Sequence, residues 1–254
     1  MRFHRLLLCA ALLLAGGCLD ADDSDLDARL DVAADDADLP EVELEADAGA
    51  DADVPAEADA EAGVDAVEED GPEGPPPLTP EEIDLILSGG ADTPMDIVTN
   101  ETPEGDAFLH EVSDEVDPTD PTVQQLIARM RRTLAASAGG VGLAAPQVGV
   151  HRRIFLAQRT DQTGMPVQAF LNPWIVEYSP ETRAAGEGCL SVPGANPSVT
   201  RSVWITIDYD GEDAVPVVGE TIGSTTAPLA AYAARIVQHE YDHLDGVLIV
   251  DPAP

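Results

Sequence analysis

Hydrophobic and polar positions follow three different patterns along the chain. Residues 1–19 have a short basic start and then an unbroken apolar run from residue 6 to residue 15. Residues 20–79 contain only scattered aliphatic residues and no aromatic residue. Residues 80–254 show helical and strand-like periodicities, so we predict that this last region forms the globular domain.

Two long helices are predicted in the domain. The first spans residues 120–135, because Asp120 and Pro121 are typical of a helix start and apolar residues recur after them at helical spacing. Its buried stripe is predicted to consist of Val123, Leu126, Ile127, Met130 and Leu134. The second helix is predicted over residues 228–244, where Asp245 and Gly246 end it.

Short strands are predicted at residues 153–158, 167–172, 175–177, 204–209 and 247–250, with Gly and Pro separating most of them. Helices and strands do not alternate regularly along the chain. The pattern therefore favours an α+β fold with antiparallel sheet over a doubly wound parallel fold.

Charge is distributed very unevenly. The 254 residues carry a formal net charge of −37, and 23 of the 49 acidic residues lie between residues 20 and 79. Such acidity disfavours nucleic acid and anionic membrane surfaces as partners, since both are polyanions. Residues 20–79 cannot bury enough apolar surface to fold, so we expect a disordered acidic tether. Calcium binding is the alternative, but no EF-hand spacing supports it.

Residues 1–19 match the plan of a secretory signal peptide. Gly16 and Gly17 precede Cys18, which resembles a lipobox, and its cysteine would then be lipidated. The apolar run is too short for a lasting transmembrane helix. We expect a lipid-anchored protein of the bacterial cell envelope that touches the membrane only through its anchor. An ordinary secretory signal with a chance cysteine is the alternative.

A candidate metal site lies in the second predicted helix. His239 and His243 are four residues apart, so both rings lie on one helical face, and Glu240 lies beside the first of them. A catalytic site usually has a third protein ligand. The candidates upstream are Cys189, Glu187, His151 and His110. Two imidazoles and one thiolate would suit zinc or ferrous iron.

Three motifs resemble those of the peptide deformylase family. Residues 140–147 match G-x-G-L-A-A-P-Q, residues 187–191 match E-G-C-L-S, and residues 238–246 match Q-H-E-x-D-H-L-x-G. They occur in the family's order, and the resemblance covers roughly residues 82–251. It implies the family's fold, in which antiparallel sheets pack around a central metal-binding helix.

The resemblance also implies roles for individual residues. The metal ligands would be Cys189, His239 and His243, and Glu240 would be the acid and base. Gln147 and the backbone N–H of Leu190 would bind the oxyanion. Val141 and Gly142 would contact the extended substrate backbone. One divalent ion is implied, with ferrous iron expected ahead of zinc.

The expected function is metal-dependent hydrolysis of the formyl group from N-formylmethionyl peptides by a monomeric enzyme. The export signal would separate the protein from ribosomes, so exported or released formyl-peptides, or another small N-acyl amide, are the hypothetical substrates. Two alternatives remain: a noncatalytic envelope module that binds peptides or metal, and a zinc protease. The protease would need a downstream ligand, but Ile249 stands where one protease class has histidine.

Overall fold

A computed structural model describes residues 74–252 of the chain. The predicted signal peptide, Cys18 and most of the predicted tether lie outside these residues. The helices are α1 (Pro80–Leu87), α2 (Pro103–Leu109), α3 (Pro121–Ala136) and α4 (Pro228–Leu244). The strands are β1 (Gly142–Ala144), β2 (Ile154–Gln158), β3 (Val167–Tyr178), β4 (Thr182–Gly186), β5 (Ser198–Ser202), β6 (Trp204–Asp210) and β7 (Pro216–Gly223), and a 3₁₀ turn covers Ala145–Val148.

The strands form two antiparallel sheets, which confirms the predicted α+β class. The larger sheet has five strands in the order β1-β2-β3-β6-β7, and β4 pairs with β5 in a separate hairpin. Because side chains alternate across a strand, the side chains of β2 pack into two hydrophobic cores. Ile154 and Leu156 face one core, whereas Phe155 and Ala157 face the other.

Each face of the larger sheet is covered by one of the two predicted long helices. Helix α3 packs its predicted stripe against the face that carries Leu143 and Leu171, and all five stripe residues are buried. Helix α4 packs against the opposite face, through a set of small and aliphatic side chains that includes Ala233, Ile236 and Val237. The two helices begin and end within one or two residues of their predicted bounds.

Two strand predictions need correction. Residues 247–250 form irregular backbone and a turn rather than a strand, because Leu248 packs with Leu109 and Val192 while its N–H donates to the Asp251 carboxylate at 2.6 Å. The segments 167–172 and 175–177 are one strand, β3, with an irregularity between Leu171 and Trp174. Asn172 has a φ of 48° there, and Pro173 follows it, which made the strand look interrupted in sequence.

The pattern did not predict α1, α2, β1, β4, β5 or β7. Helix α1 starts with a capping box, in which Thr79 and Glu82 satisfy each other's backbone N–H groups. Buried arginines fasten it to the domain: Arg129 donates to the carbonyls of Leu85 and Ile86, and Arg152 pairs with Glu82. Within residues 74–252, no helix combines the length and the apolar character that crossing a membrane requires.

Candidate metal centre

Helix α4 brings two histidines to one side of the fold. His239 and His243 lie one turn apart, with ring centroids 5.2 Å from each other in an edge-to-face arrangement. His239 is partly buried and His243 is 1% exposed. The apolar residues of α4 that fix the helix on the sheet therefore also hold both imidazoles in place.

Cys189 reaches these histidines from the segment that follows β4. Its Sγ lies 3.2 Å from Nε2 of His243, and the donor atoms of the three residues lie within 4.8 Å of one another. A tight turn supports the cysteine, because the Val192 N–H donates to its carbonyl at 3.2 Å. Within the described residues, Cys189, His239 and His243 are the cluster of cysteine, histidine or acidic side chains that could hold a metal ion.

Two of the other three candidate ligands, His110 and His151, lie away from the centre, and the third, Glu187, lies beside it. His110 bonds to the Asp106 carbonyl and the Asp251 carboxylate. His151 stacks on Phe108, with ring centroids 3.8 Å apart. Glu187 is beside the centre, but its carboxylate accepts from Nδ1 of His239 at 3.0 Å and so supports a ligand.

The donor set fits a divalent transition metal. One thiolate and two imidazoles suit zinc or ferrous iron and leave a position open for water or substrate. Burial lowers the pKa of His243 well below its ordinary value, so its ring is neutral and able to coordinate. Burial would also lower the pKa of His239, but hydrogen bonds to Cys189 and Glu187 raise it to about 10.

A buried ionic network surrounds Glu187. Arg201 donates to both carboxylate oxygens, at 3.1 and 3.0 Å, and Arg235 donates to Oε1. Burial would raise the pKa of Glu187, but the hydrogen bonds from His239 and Arg201 lower it to about 2. Neither arginine was predicted from the sequence. Arg235 could have been found, because it precedes His239 by one helical turn and shares its face.

Glu240 is buried beside the ligands, and its carboxylate is incompletely bonded. Its Oε2 has no hydrogen-bond partner among the described residues, and burial raises the pKa of the carboxyl to about 7. Gly142 makes room for it, since a Cβ on Gly142 would lie 2.2 Å from Oε1 of Glu240. A carboxyl group with such a pKa can both accept and donate a proton near neutral pH.

Gln147 points its amide nitrogen at the centre. The Ala144 N–H donates to its Oε1 at 2.8 Å, which directs Nε2 toward Ser191 Oγ at 3.2 Å and Cys189 Sγ at 3.5 Å. The side chain is only 2% exposed. Gln147 therefore offers a fixed dipole beside the candidate metal site.

A cleft of about 390 Å³ opens over these groups. Its lining includes the predicted residues Gln147, Cys189, Leu190, His239 and Glu240, and also Val141 and Gly142. His243 is not among the lining residues, but its Nε2 lies 3.2 Å from Sγ of Cys189 in the cleft wall. The structure thus brings every predicted site residue of the domain to one place.

Comparison with known proteins gives a consistent result. Residues 95–254 match the family model described as polypeptide deformylase. Peptide deformylases of Pseudothermotoga lettingae and Thermotoga maritima are each 42% identical, over 59% and 58% of this chain and 80% and 82% of their own lengths.

Solved structures agree with these matches. A peptide deformylase structure from Thermotoga maritima is 37% identical, with a TM-score of 0.54 over 63% of this chain and 99% of that one. A class I type b peptide deformylase from Acinetobacter baumannii, bound to Met-Ala-Ser, is 27% identical, with a TM-score of 0.53 over 63% of this chain and 98% of that one.

Proposed function

The chain belongs to the polypeptide deformylase family, and on this premise we propose how its residues carry out the family's reaction. It is a metallo-hydrolase that removes the N-formyl group from formyl-peptides. The observation that carries the residue assignment is the convergence of Cys189, His239 and His243 beside the buried carboxyl of Glu240.

We assign the metal ligands as Cys189, His239 and His243. A divalent ion held there would supply the positive charge needed to activate water and to polarise the formyl carbonyl. Glu240 accepts the proton of the attacking water and passes it to the departing amine. Water adds to the formyl carbon, the C–N bond breaks, and the products are formate and a free N-terminus.

We assign the stabilisation of the oxyanion to Gln147 and Leu190. The Gln147 amide is already oriented by the Ala144 N–H, so it need not reorganise when negative charge develops. The backbone N–H of Leu190, next to Cys189 in the cleft wall, is the second donor of this proposal.

We assign substrate binding to Gly142, the first residue of β1, and to Val141, which precedes it. Strand β1 is at one edge of the larger sheet, so an extended peptide can add to it by backbone hydrogen bonds. The Acinetobacter structure contains Met-Ala-Ser, a peptide that begins with methionine. This supports a formylmethionyl peptide as the substrate of the present cleft.

The test is an assay of the purified full chain with formyl-Met-Ala-Ser, loaded anaerobically with ferrous iron or with zinc. Acetyl-Met-Ala-Ser is the matched control. We expect equal amounts of formate and free amine from the formyl peptide and no reaction of the control. A metal-loaded protein that releases no formate with either ion would support the noncatalytic alternative, and cleavage of internal peptide bonds would support a protease.

We further propose that the enzyme is lipid-anchored in the cell envelope and acts on exported or released formyl-peptides. The support is the signal-like pattern of residues 1–19 with Cys18 after two glycines, followed by the acidic residues 20–79. Mass spectrometry of the mature N-terminus tests this, and a lipidated Cys18 in the membrane fraction is expected. An intact Met1 in the cytosol would contradict it.

Ferrous iron is our proposed ion, and the monomer is our proposed state. The mixed thiolate and imidazole set suits iron as well as zinc. All three ligands come from one chain, so the centre is complete in a single copy. Metal analysis after anaerobic purification and the mass measured by light scattering test these two points.

A further inference from the structure

The segment that carries Cys189 has apolar anchoring at its end, where Cys189 packs beside Leu109, Val192 and Leu248, but its strand is exposed. We define the cysteine arm as residues 182–189, which comprise β4 and the residues up to the metal ligand. All five residues of β4 are exposed, and β4 pairs only with β5 in the smaller sheet. Something other than burial of β4 must therefore fix the arm against the helix that bears the histidines.

Arg235 makes that connection. It lies on α4 one turn before His239 and is 8% exposed. Its guanidinium donates to the carbonyl of Val199 in β5 at 2.9 Å and to the carbonyl of Arg183 in β4. A single side chain of the histidine helix thus binds the backbone of both strands of the hairpin.

The same guanidinium also reaches the arm through Glu187. Arg235 donates to Oε1 of Glu187, and the other oxygen of that carboxylate accepts from Nδ1 of His239. Arg201 of β5 also binds Glu187, and its bond to the Asp242 carboxylate makes a second link between the hairpin and α4. Arg235 differs from Arg201 because, besides binding Glu187, it donates to main-chain carbonyls of both β4 and β5.

We propose that Arg235 is a positioning residue, which sets the distance between the cysteine arm and the two histidines and so the affinity of the centre for its ion. The inference rests on the metal centre of the proposed function and deepens it. Arg235 lines the cleft but is not one of the proposed ligands, and its bonded nitrogens are engaged by Glu187 and the strand carbonyls. Its effect reaches the metal through Cys189 and through the orientation of His239.

Two substitutions test the proposal in the full chain. Arg235→Met keeps much of the side-chain volume but removes every donor, and we expect a metal affinity about 10- to 100-fold weaker. Arg235→Lys keeps one cationic nitrogen, which can bind Glu187 but cannot serve the carbonyls of both strands as well. The lysine variant should therefore fall between the wild type and the methionine variant.

The readouts are zinc affinity, measured by competition with a chelator, and the thiolate-to-cobalt absorption of the cobalt-loaded protein. Arg131→Met is the matched control, because Arg131 lies on α3, where it binds the Val167 carbonyl at 2.8 Å and pairs with Glu212. The control should keep wild-type affinity and absorption. Arg235→Met should lower the zinc affinity and weaken the cobalt absorption. If the methionine variant does not fold, the lysine variant tests the same point, because its zinc affinity should be lower than that of the wild type.

The inference would be overturned if the Arg235 variants were less stable without metal but had the zinc affinity and the cobalt absorption of the wild type. The proposed function would then remain intact. If the wild type itself bound no ion, the metal centre would fail and the inference with it. The two failures are therefore distinguishable.

Discussion

Helices α3 and α4 cover opposite faces of the same sheet, yet they bury different kinds of side chain. On α3 the buried polar residues are Arg129 and Thr133, and both are bonded: Arg129 to carbonyls of the α1 region, Thr133 to the Met95 N–H. On α4, Oε2 of Glu240 and Nδ1 of His243 have no hydrogen-bond partner among the described residues. A buried polar atom without a partner costs about 1–3 kcal/mol of stability.

The comparison separates stability from chemistry. The buried polar groups of α3 are bonded and stabilise the domain. Helix α4 instead keeps the unpartnered atoms of Glu240 and His243 where a metal ion and a proton carrier are needed. Substitutions on α3 should therefore change stability without changing turnover per folded molecule. Substitution of Glu240, an unpartnered group of α4, should do the opposite.

The largest effect is expected from Glu240→Met. Loss of the acid and base should lower kcat/KM for formyl-Met-Ala-Ser by about 10²- to 10⁴-fold. The free energy of unfolding of the metal-free protein, measured with urea, should stay the same or rise, because an unpartnered buried oxygen disappears. Bound metal should remain. A Glu240→Met variant that kept its activity and lost stability would show that Glu240 serves stability, as the buried residues of α3 do, and not catalysis.

Gln147→Met removes an oxyanion donor, and we expect kcat to fall by about 10²- to 10³-fold. Gln125→Met on α3 is the matched control, since its amide binds only the carbonyls of Ile86 and Gly89. The control should lose stability and keep kcat. Equal kcat values for the two variants, measured well below their melting temperatures, would remove Gln147 from the mechanism.

Leu126→Ala should act on stability alone. Leu126 is fully buried in the core between α3 and the sheet, so its truncation should cost about 2–5 kcal/mol in the free energy of unfolding. Urea titration measures this cost. The kcat/KM of the folded fraction should equal that of the wild type, and a loss of turnover larger than the unfolded fraction would show that the two faces are coupled.

Glu82→Gln should give the smallest effect, one that depends on pH. Burial would raise the pKa of Glu82, but Arg152 and Thr79 lower it in the folded state. The contribution of Glu82 to stability is therefore present above the pKa of the unfolded chain and is lost as pH falls through the folded pKa. The gap in unfolding free energy between wild type and Glu82→Gln should shrink from pH 7 to strongly acidic pH.

Glu81→Gln is the control for that experiment, because Glu81 is an exposed neighbour in the same first turn. Its free energy of unfolding should differ little from that of the wild type at either pH. A gap for Glu82→Gln that does not change with pH would contradict the assigned ion pair.

The long periodic helices were predictable, because Leu126 and its neighbours repeat every three or four residues over four turns. Strand β4 was not, since its exposed Thr, Arg and Ala residues carry no alternation of polarity. The turn at residues 247–250 has an apolar sequence like a strand, and only its packing against Leu109 shows otherwise.

The site was predictable to the extent that local motifs encode it. His239, Glu240 and His243 follow from helical spacing, and Cys189 became the third ligand only through family resemblance. The role of Glu187 and Arg235 depends on contacts between α4 and the smaller sheet. Such contacts join residues 48 positions apart, which no local pattern records.

Metal analysis of anaerobically purified protein tests the proposed centre most directly, with Cys189→Ala compared against the double variant Cys9→Ala/Cys18→Ala. We predict one divalent ion per chain in the wild type and in the double variant, and a loss of most of the ion from Cys189→Ala. A full complement of metal in Cys189→Ala would contradict the proposed centre.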